Sequence, residues 1–198
     1  MAKRESTFLN MVLTLIIVAA AASFTLATVY NLTKEPIERS REAARQEAIG
    51  NVLPGFERLV SKKLMPPTGS DSLEFNLAYD NGELVGIAVS TYTGMGYSGV
   101  IRAMVGFTPG GEIIDVVHLE HAETPGLGDK IEKGKSDWSD QFRGFDPSEQ
   151  VLRVRQDGGE IDGITAATIT ARAYCDAIER AYMTFEANKQ ELLNKEGE

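Results

Sequence analysis

The sequence has very little cysteine. Cys175 is the only one among 198 residues, so the chain can close no internal disulfide and build no cysteine-rich metal site. It also lacks concentrated positive charge. The 20 Lys and Arg against 29 Asp and Glu leave a formal net charge of −9, with no basic stripe outside the N-terminal flank. That balance argues against nucleic acid as a partner, because phosphate contacts need clustered cations. Several catalytic signatures are missing as well: there is no nucleophile elbow, no P-loop and no dinucleotide fingerprint. No internal repeat points to a solenoid. A last absence is local: no charged residue falls between Glu5 and Lys34.

That uncharged stretch, from Phe8 to Tyr30, is mostly Leu, Ile, Val, Ala and Met. About 20 such residues in a helix cross a hydrocarbon core of roughly 30 Å. A cleaved leader has a shorter apolar core ending at small residues. Here the apolar run continues past Ala19 to Ala22 through Leu26 and Val29, which favours a retained transmembrane anchor in the lipid bilayer. Lys3 and Arg4 precede the span, while Lys34, Arg39, Arg41 and Arg45 follow it. Counting Lys and Arg at the two ends therefore does not decide which side holds the rest of the chain.

The remainder has the composition of a folded protein, 42% hydrophobic and 25% charged overall. Its length suits one domain plus an appendage. Residues 1–33 read as a tip and anchor, and residues 34–72 as a helix and linker. In the latter, Thr33 is placed to cap a helix over 35–52 with Pro36 in its first turn, and Pro54-Gly55 ends it. Lys62 to Ser72, with Pro66-Pro67 and Gly69, reads as a loop. Residues 73–187 form the main domain. Leu73–Tyr79 and Leu84–Val89 flank the turn signal Asp80-Asn81-Gly82. After the glycine-rich bend at Gly94, Gly96 and Gly99, Val100–Phe107 and Glu112–Leu119 flank Pro109-Gly110-Gly111. From Ala171 the apolar period is helical through Tyr174, Ile178, Ala181, Tyr182 and Phe185. The tail, 188–198, is charged and reads as solvated. The expected fold class is α+β, with helices packed on a mostly antiparallel sheet.

Two segments carry candidate chemistry. Asp162-Gly163-Ile164-Thr165-Ala166-Ala167-Thr168-Ile169-Thr170 concentrates small residues and hydroxyls just ahead of the final helix. Small residues allow close backbone approach, and a helix N-terminus attracts anions, so a phosphate is the natural occupant. Helix capping by Thr165, Thr168 or Thr170 accounts for the same composition. His121-Ala122-Glu123-Thr124-Pro125-Gly126-Leu127-Gly128-Asp129-Lys130 is a second block, a turn with glycines that permit tight approach to a flat ring. His118 and His121 with Glu120 and Glu123 raise the question of a metal. On a strand, positions i and i+3 face opposite ways, so these groups are not expected to converge, and no metal is assigned. Trp138 reads as a packing anchor and Cys175 as a buried small hydrophobe.

Asp162 to Thr168 resembles the flavinylation motif of the FMN-binding domain family, found in the G subunit of Rnf complexes and the C subunit of sodium-pumping NADH:quinone reductases. The family pattern is Asp, two variable residues, Ser or Thr, Gly or Ala, Ala, Thr. Ala166 stands where Gly is more usual. The block from His121 to Gly128 resembles the family's His-x-Glu-Thr-Pro-Gly-Leu-Gly segment, and Gly94 to Gly99 and the N-terminal span match too. The resemblance implies FMN attached covalently to Thr168 by a phosphoester that a flavin transferase installs. It implies cofactor contacts from Asp162, Thr165, Ala166, Ala167, His121, Glu123, Thr124, Gly126, Leu127 and Gly128. It further implies an extracytoplasmic domain on a single-pass inner-membrane anchor. The function implied is electron transport inside a redox-driven ion translocase, an Rnf-type ferredoxin:NAD oxidoreductase. The other membrane and peripheral Rnf components would then be partners, and the chain would hold no complete active site of its own. Compactness favours Rnf over the related quinone reductase. A flavin domain of a membrane regulator or reductase accessory chain, or a non-redox anchored binding module, are the other readings.

Overall fold

The computed structural model describes residues 7–194. The expected tip with Lys3 and Arg4, and residues 195–198 of the tail, lie outside the described residues. The chain divides into two units, one ending at Ala43 and one beginning at Ala44.

The first unit is helix. It is the leading part of α1, Phe8–Val52, whose apolar residues from Phe8 to Tyr30 are exposed along their length. Among the described residues, α1 is the one helix long and apolar enough to span a membrane. The expected new helix start near residue 35 is not there. Pro36 lies inside a continuous helix, and the Thr33 hydroxyl donates back to the Val29 carbonyl (2.9 Å) rather than capping anything. A Thr hydroxyl bonding one turn back is compatible with helix interior, and the helix carries through the proline.

The second unit is an α+β domain. Five antiparallel strands follow one another as a meander, β1 Arg58–Leu64, β2 Leu73–Asp80, β3 Glu83–Gly96, β4 Gly99–Phe107 and β5 Ile113–Glu120. The β2–β3 turn places Asn81 and Gly82 at φ 50° and 80°, the left-handed pair that a two-residue hairpin requires. The two hairpins expected from the sequence are present. β1 corrects the linker reading: it runs into the segment expected to be a loop from Lys62, yet pairs with β2 from Arg58↔Tyr79 to Leu64↔Leu73.

Alternation gives the sheet two buried faces. Leu73, Phe75, Leu77, Ile87, Val89, Ile101, Ala103, Val105 and Phe107 point to the last helix, α2, Thr168–Leu193. On the other face Ala78, Ala88 and Met104 meet Ala48, Ile49, Val52 and Leu53 from the end of α1 and the residue after it. Small residues let that helix end come close: a side chain at Gly106 would collide with the Val52 carbonyl oxygen. A three-layer helix–sheet–helix domain results. Thr91 crosses from β3 to donate to the Ala177 carbonyl of α2 at 2.8 Å, both ends buried. The tail reading also changes. α2 runs to Leu193, and Leu192 is buried in the core, so the described part of that segment, residues 188–194, is not a solvated appendage.

Candidate functional site

Between β5 and α2 the chain forms loops and short 3₁₀ turns, and these bring the two motif segments together. α2 begins at Thr168. Its N-cap is Ala167, which offers no side-chain oxygen, so the first-turn N–H groups lack a side-chain cap. The capping explanation for the hydroxyl-rich motif therefore fails here. The turn into the helix is closed by the Ala167 N–H donating to the Ile164 carbonyl (2.9 Å), with Ile164 buried as its anchor. Ala166 takes φ 65° within that turn. The left-handed region favours glycine, which is the physical reason glycine suits this position.

The second motif folds around the Thr124 carbonyl, which accepts from the N–H groups of Leu127 (3.1 Å) and Gly128 (3.0 Å). The tight loop puts Gly128 against the head of α2, where a Cβ would stand 2.8 Å from Thr170 Oγ1 and 2.9 Å from Glu123 Cβ. Glu123 is buried and acts as a three-way tie. Its Oε1 accepts from the Ser98 N–H at the β3–β4 turn (3.0 Å), and its Oε2 accepts from the Thr170 hydroxyl (2.5 Å).

A cleft of about 510 Å³ opens at this junction, lined by Tyr97, Glu123, Thr124, Leu127, Gly128 and residues 166–170. That volume falls in the ordinary range for small-molecule sites. Six of the expected residues share it: Glu123, Thr124, Leu127, Gly128, Ala166 and Ala167 join Thr168. Asp162 and Thr165 line a neighbouring shallow cleft with Lys130, Trp138 and Gln141. Gly126 and His121 line neither. Tyr97, Ile169 and Thr170 line the main cleft although the sequence does not single them out as cofactor contacts. The hairpin at Gly96 and Gly99 signals Tyr97 indirectly, since a Cβ at Gly96 would meet Glu123 Oε1 at 2.9 Å.

The three hydroxyls are sorted by their surroundings. Thr170 is buried and donates to Glu123. Thr165 is exposed and faces the neighbouring cleft. Thr168 is half-buried in the main cleft, at the first residue of the helix, and its hydroxyl has no hydrogen-bond partner among the described residues. These features fit a phosphate-bearing ligand such as FMN: an uncapped helix N-terminus, small residues beside it, and a roomy partly apolar cleft.

The histidines do converge, against expectation. Ligand atoms of His118, His121 and Glu132 lie within 4.8 Å of one another, and the two rings are 5.3 Å apart. A bulge explains it. Arg102 pairs with Glu120 but Ala103 pairs with His118, so Leu119 is an extra residue that breaks the alternation. Two of its members are nevertheless engaged without a cation. His121 Nδ1 accepts from the Glu123 N–H (3.2 Å), which leaves its Nε2–H to donate to Glu132 (3.0 Å). Metal coordination through Nε2 would need that proton on Nδ1, facing the Glu123 N–H. Lys135 also sits 2.8 Å from the same Glu132 oxygen. Burial holds the His118 pKa below its ordinary value, and the nearby His121 and Lys135 push the same way against Glu132.

Elsewhere, Trp138 packs edge-on against Phe142 and Tyr174 with ring centroids 5.4 and 5.6 Å away. Cys175 is buried, and desolvation pushes its thiol up to about 12, so it is no nucleophile.

The FMN-binding domain family matches residues 96–183. The chain is 46% identical over 121 residues to the G subunit of an ion-translocating oxidoreductase complex of Shewanella piezotolerans, covering 60% of this chain and 57% of that relative. A Shewanella loihica protein of the same name is also 46% identical, over 60% of this chain and 58% of its own length. Against these two the chain thus spans under two thirds of the relative. The Vibrio atlanticus protein of that name is 33% identical over 199 residues, covering 91% of both chains.

Proposed function

The chain belongs to the family of ion-translocating oxidoreductase complex G subunits, and from that premise we propose that it is a membrane-anchored, FMN-carrying electron-transfer component of an Rnf-type complex. In this reading FMN is joined to Thr168 by a phosphoester. The relatives above are named as G subunits, which favours this role over the C subunit of the sodium-pumping quinone reductase.

The observation that carries the attachment residue is the sorting of the hydroxyls. Of Thr165, Thr168 and Thr170, only Thr168 combines a place in the main cleft, partial exposure and an oxygen committed to no partner. Forming the ester makes a bond from Thr168 Oγ1 to phosphorus. It breaks the diphosphate of a flavin dinucleotide donor, releases a nucleoside monophosphate and sheds the hydroxyl proton. A flavin transferase is the partner for that step. The resulting phosphodiester keeps one negative charge, which the helix N-terminus favours by about 0.3–1 kcal/mol. That is far too little to retain a carrier by itself, which gives a covalent bond its purpose.

Bound FMN supplies the redox chemistry, and the protein's part is to hold and orient it. Gly128 and the Thr124 turn shape the floor of the cleft, while Glu123 fastens β3–β4, the loop and α2 into one frame. Tyr97, Leu127 and Ile169 give the rim an apolar, exposed edge. On this reading the domain lies on the extracytoplasmic side, with the other Rnf components as neighbours.

Thr168→Val keeps the side-chain shape and removes the oxygen. Coexpressed with a flavin transferase, that chain should be folded, membrane-bound and colourless in a denaturing gel viewed by flavin fluorescence. Thr165→Val should still be labelled. An FMN adduct mapped by mass spectrometry to Thr165 or Thr170 would refute the assignment.

A further inference from the structure

The attachment segment is gripped at a point the cofactor site does not include. Asp162, six residues before Thr168, has both backbone groups engaged by a single 3₁₀ turn, Trp138–Phe142. Its carbonyl accepts from the Trp138 indole N–H at 2.6 Å, and its N–H donates to Gln141 Oε1 at 2.7 Å. The Gln141 amide cannot be turned round without loss, because its Nε2 donates to the Trp138 carbonyl at 2.8 Å. Trp138 is itself fixed, packed edge-on against Tyr174, which is fully buried on α2. The helix that carries Thr168 therefore also anchors the clamp that holds the segment's other end.

Just before Asp162, Ile161 joins the frame through its N–H to the Arg153 carbonyl (2.9 Å) and its carbonyl to the Arg155 N–H (2.8 Å). Between clamp and helix, the Ile164 side chain is buried while Thr165 and Ala166 stand out. The clamp reads only backbone, so the Asp162 side chain is left 64% exposed, touching Arg155 at the surface. An ordinary structural contact would leave the shape of this loop to its own side chains. Here a tryptophan and a glutamine from elsewhere in the chain impose it.

Resting on the attachment reading above, we propose that Trp138 and Gln141 are positioning residues for flavin transfer. They hold the acceptor segment in a preformed outward shape, with Asp162 to Thr165 presented to the flavin transferase and Thr168 aligned with the phosphorus it attacks. The shallow cleft of about 370 Å³ that they form with Lys130, Asp162, Gly163 and Thr165 is the face the transferase reads. It lies beside the cofactor cleft and shares none of its lining residues. Attack geometry is sensitive to small misplacements, since about 1 Å of error can cost 10²-fold in rate. A segment that must be ordered at the moment of encounter instead raises the apparent KM, because only its competent fraction binds.

The test uses the full chain purified in detergent without flavin, a purified flavin transferase and a flavin dinucleotide. Initial rates are read by in-gel fluorescence across a range of chain concentrations. Gln141→Leu removes the acceptor and the donor with little change in size, and Trp138→Phe keeps the ring packing and removes the N–H. Each should lower kcat/KM for the chain by about 3–10-fold, the size of one lost hydrogen bond, mainly through KM. Near-ultraviolet circular dichroism and thermal midpoints check that the variants are folded. Wild-type KM and kcat in both Gln141→Leu and Trp138→Phe would overturn the clamp, as would losses carried by kcat with KM unchanged. A Thr168→Val arm separates the two claims. If it stays colourless while the clamp variants are normal, only the clamp fails. If it is still labelled, the attachment reading fails and takes the clamp with it.

Discussion

Replacing Gly128 with alanine puts the closeness of the cleft floor to a quantitative test. The added methyl would stand 2.8 Å from Thr170 Oγ1, 2.9 Å from Glu123 Cβ and 3.0 Å from Glu123 Oε2. Neither neighbour can swing aside cheaply, because both are buried and each holds the other. Overpacking of this kind costs about 1–3 kcal/mol. Prising the Thr170 hydroxyl from a buried carboxylate adds about 1–3 kcal/mol. Partial loop relaxation keeps both near their lower ends, so Gly128→Ala should cost about 2–4 kcal/mol. Gly126→Ala is the control. Nothing lies within 4 Å of its Cβ, and its φ of +77° is the only obstacle, costing about 1 kcal/mol. Urea unfolding of the full chain in detergent measures both. In a cycle with Thr170→Ala, removal of the nearest obstructing atom should give a coupling of at least about 0.5 kcal/mol. If Gly128→Ala is no worse than Gly126→Ala and adds simply to Thr170→Ala, the packing argument is wrong. In flavin-loaded protein, Gly128→Ala should also shift the visible absorbance more than Gly126→Ala, since Gly128 alone of the two lines the cleft.

Other predictions concern the histidine cluster and the end of α2. His118 titrates below its ordinary 6.5 in the folded chain, so the unfolded chain takes up the proton first. Stability present above that value should therefore fall as pH drops below it, and His118→Gln should flatten the decline that sets in below the ordinary 6.5. Asp129 is held low first by the Gly126 backbone N–H and then by Lys135, and Asp115 (against its own desolvation), Asp157 and Glu132 by ion pairs, but their losses belong to pH near and below their ordinary 3.8 and 4.5. Urea titrations at several pH values separate the two windows, and an equal slope in the variant would refute the role of His118. Leu192→Ala should destabilise by about 2–5 kcal/mol, as for a core leucine. A solvated tail would lose next to nothing.

The hairpins and the final helix are legible in the sequence because local chemistry dictates them. Asn81-Gly82 can scarcely be anything but a tight turn, and Tyr174, Ile178, Ala181 and Phe185 repeat at helical spacing. β1 is hidden because it is an edge strand with few hydrophobics, Val60 and Leu64 packing on one face and Leu59 alone on the other. Its Lys62 and Lys63 read as solvent-facing, and the pairing with β2 is non-local information. Pro36 misleads in the opposite way, since a proline that usually opens a helix here lies inside one. The expected histidine geometry fails on one residue, Leu119, whose bulge no alternation rule foresees. Within the site, the two motifs name most of the cleft. The tie between Glu123, Ser98 and Thr170 is not legible, because it joins residues 25 and 47 positions apart in the chain.

The chain order of the domain has a consequence for biogenesis. The sheet is a meander whose neighbouring strands are also neighbours in sequence, so it can assemble progressively as the chain is made. The cleft cannot, since its walls come from the β3–β4 turn, the loop after β5 and the first turn of α2, the last element in the order. An unfinished or misfolded chain would carry Thr168, the attachment residue proposed above, but not the arrangement around it. Cofactor loading would then report that synthesis and folding are complete, and an unlabelled chain would mark itself as immature before any assembly step.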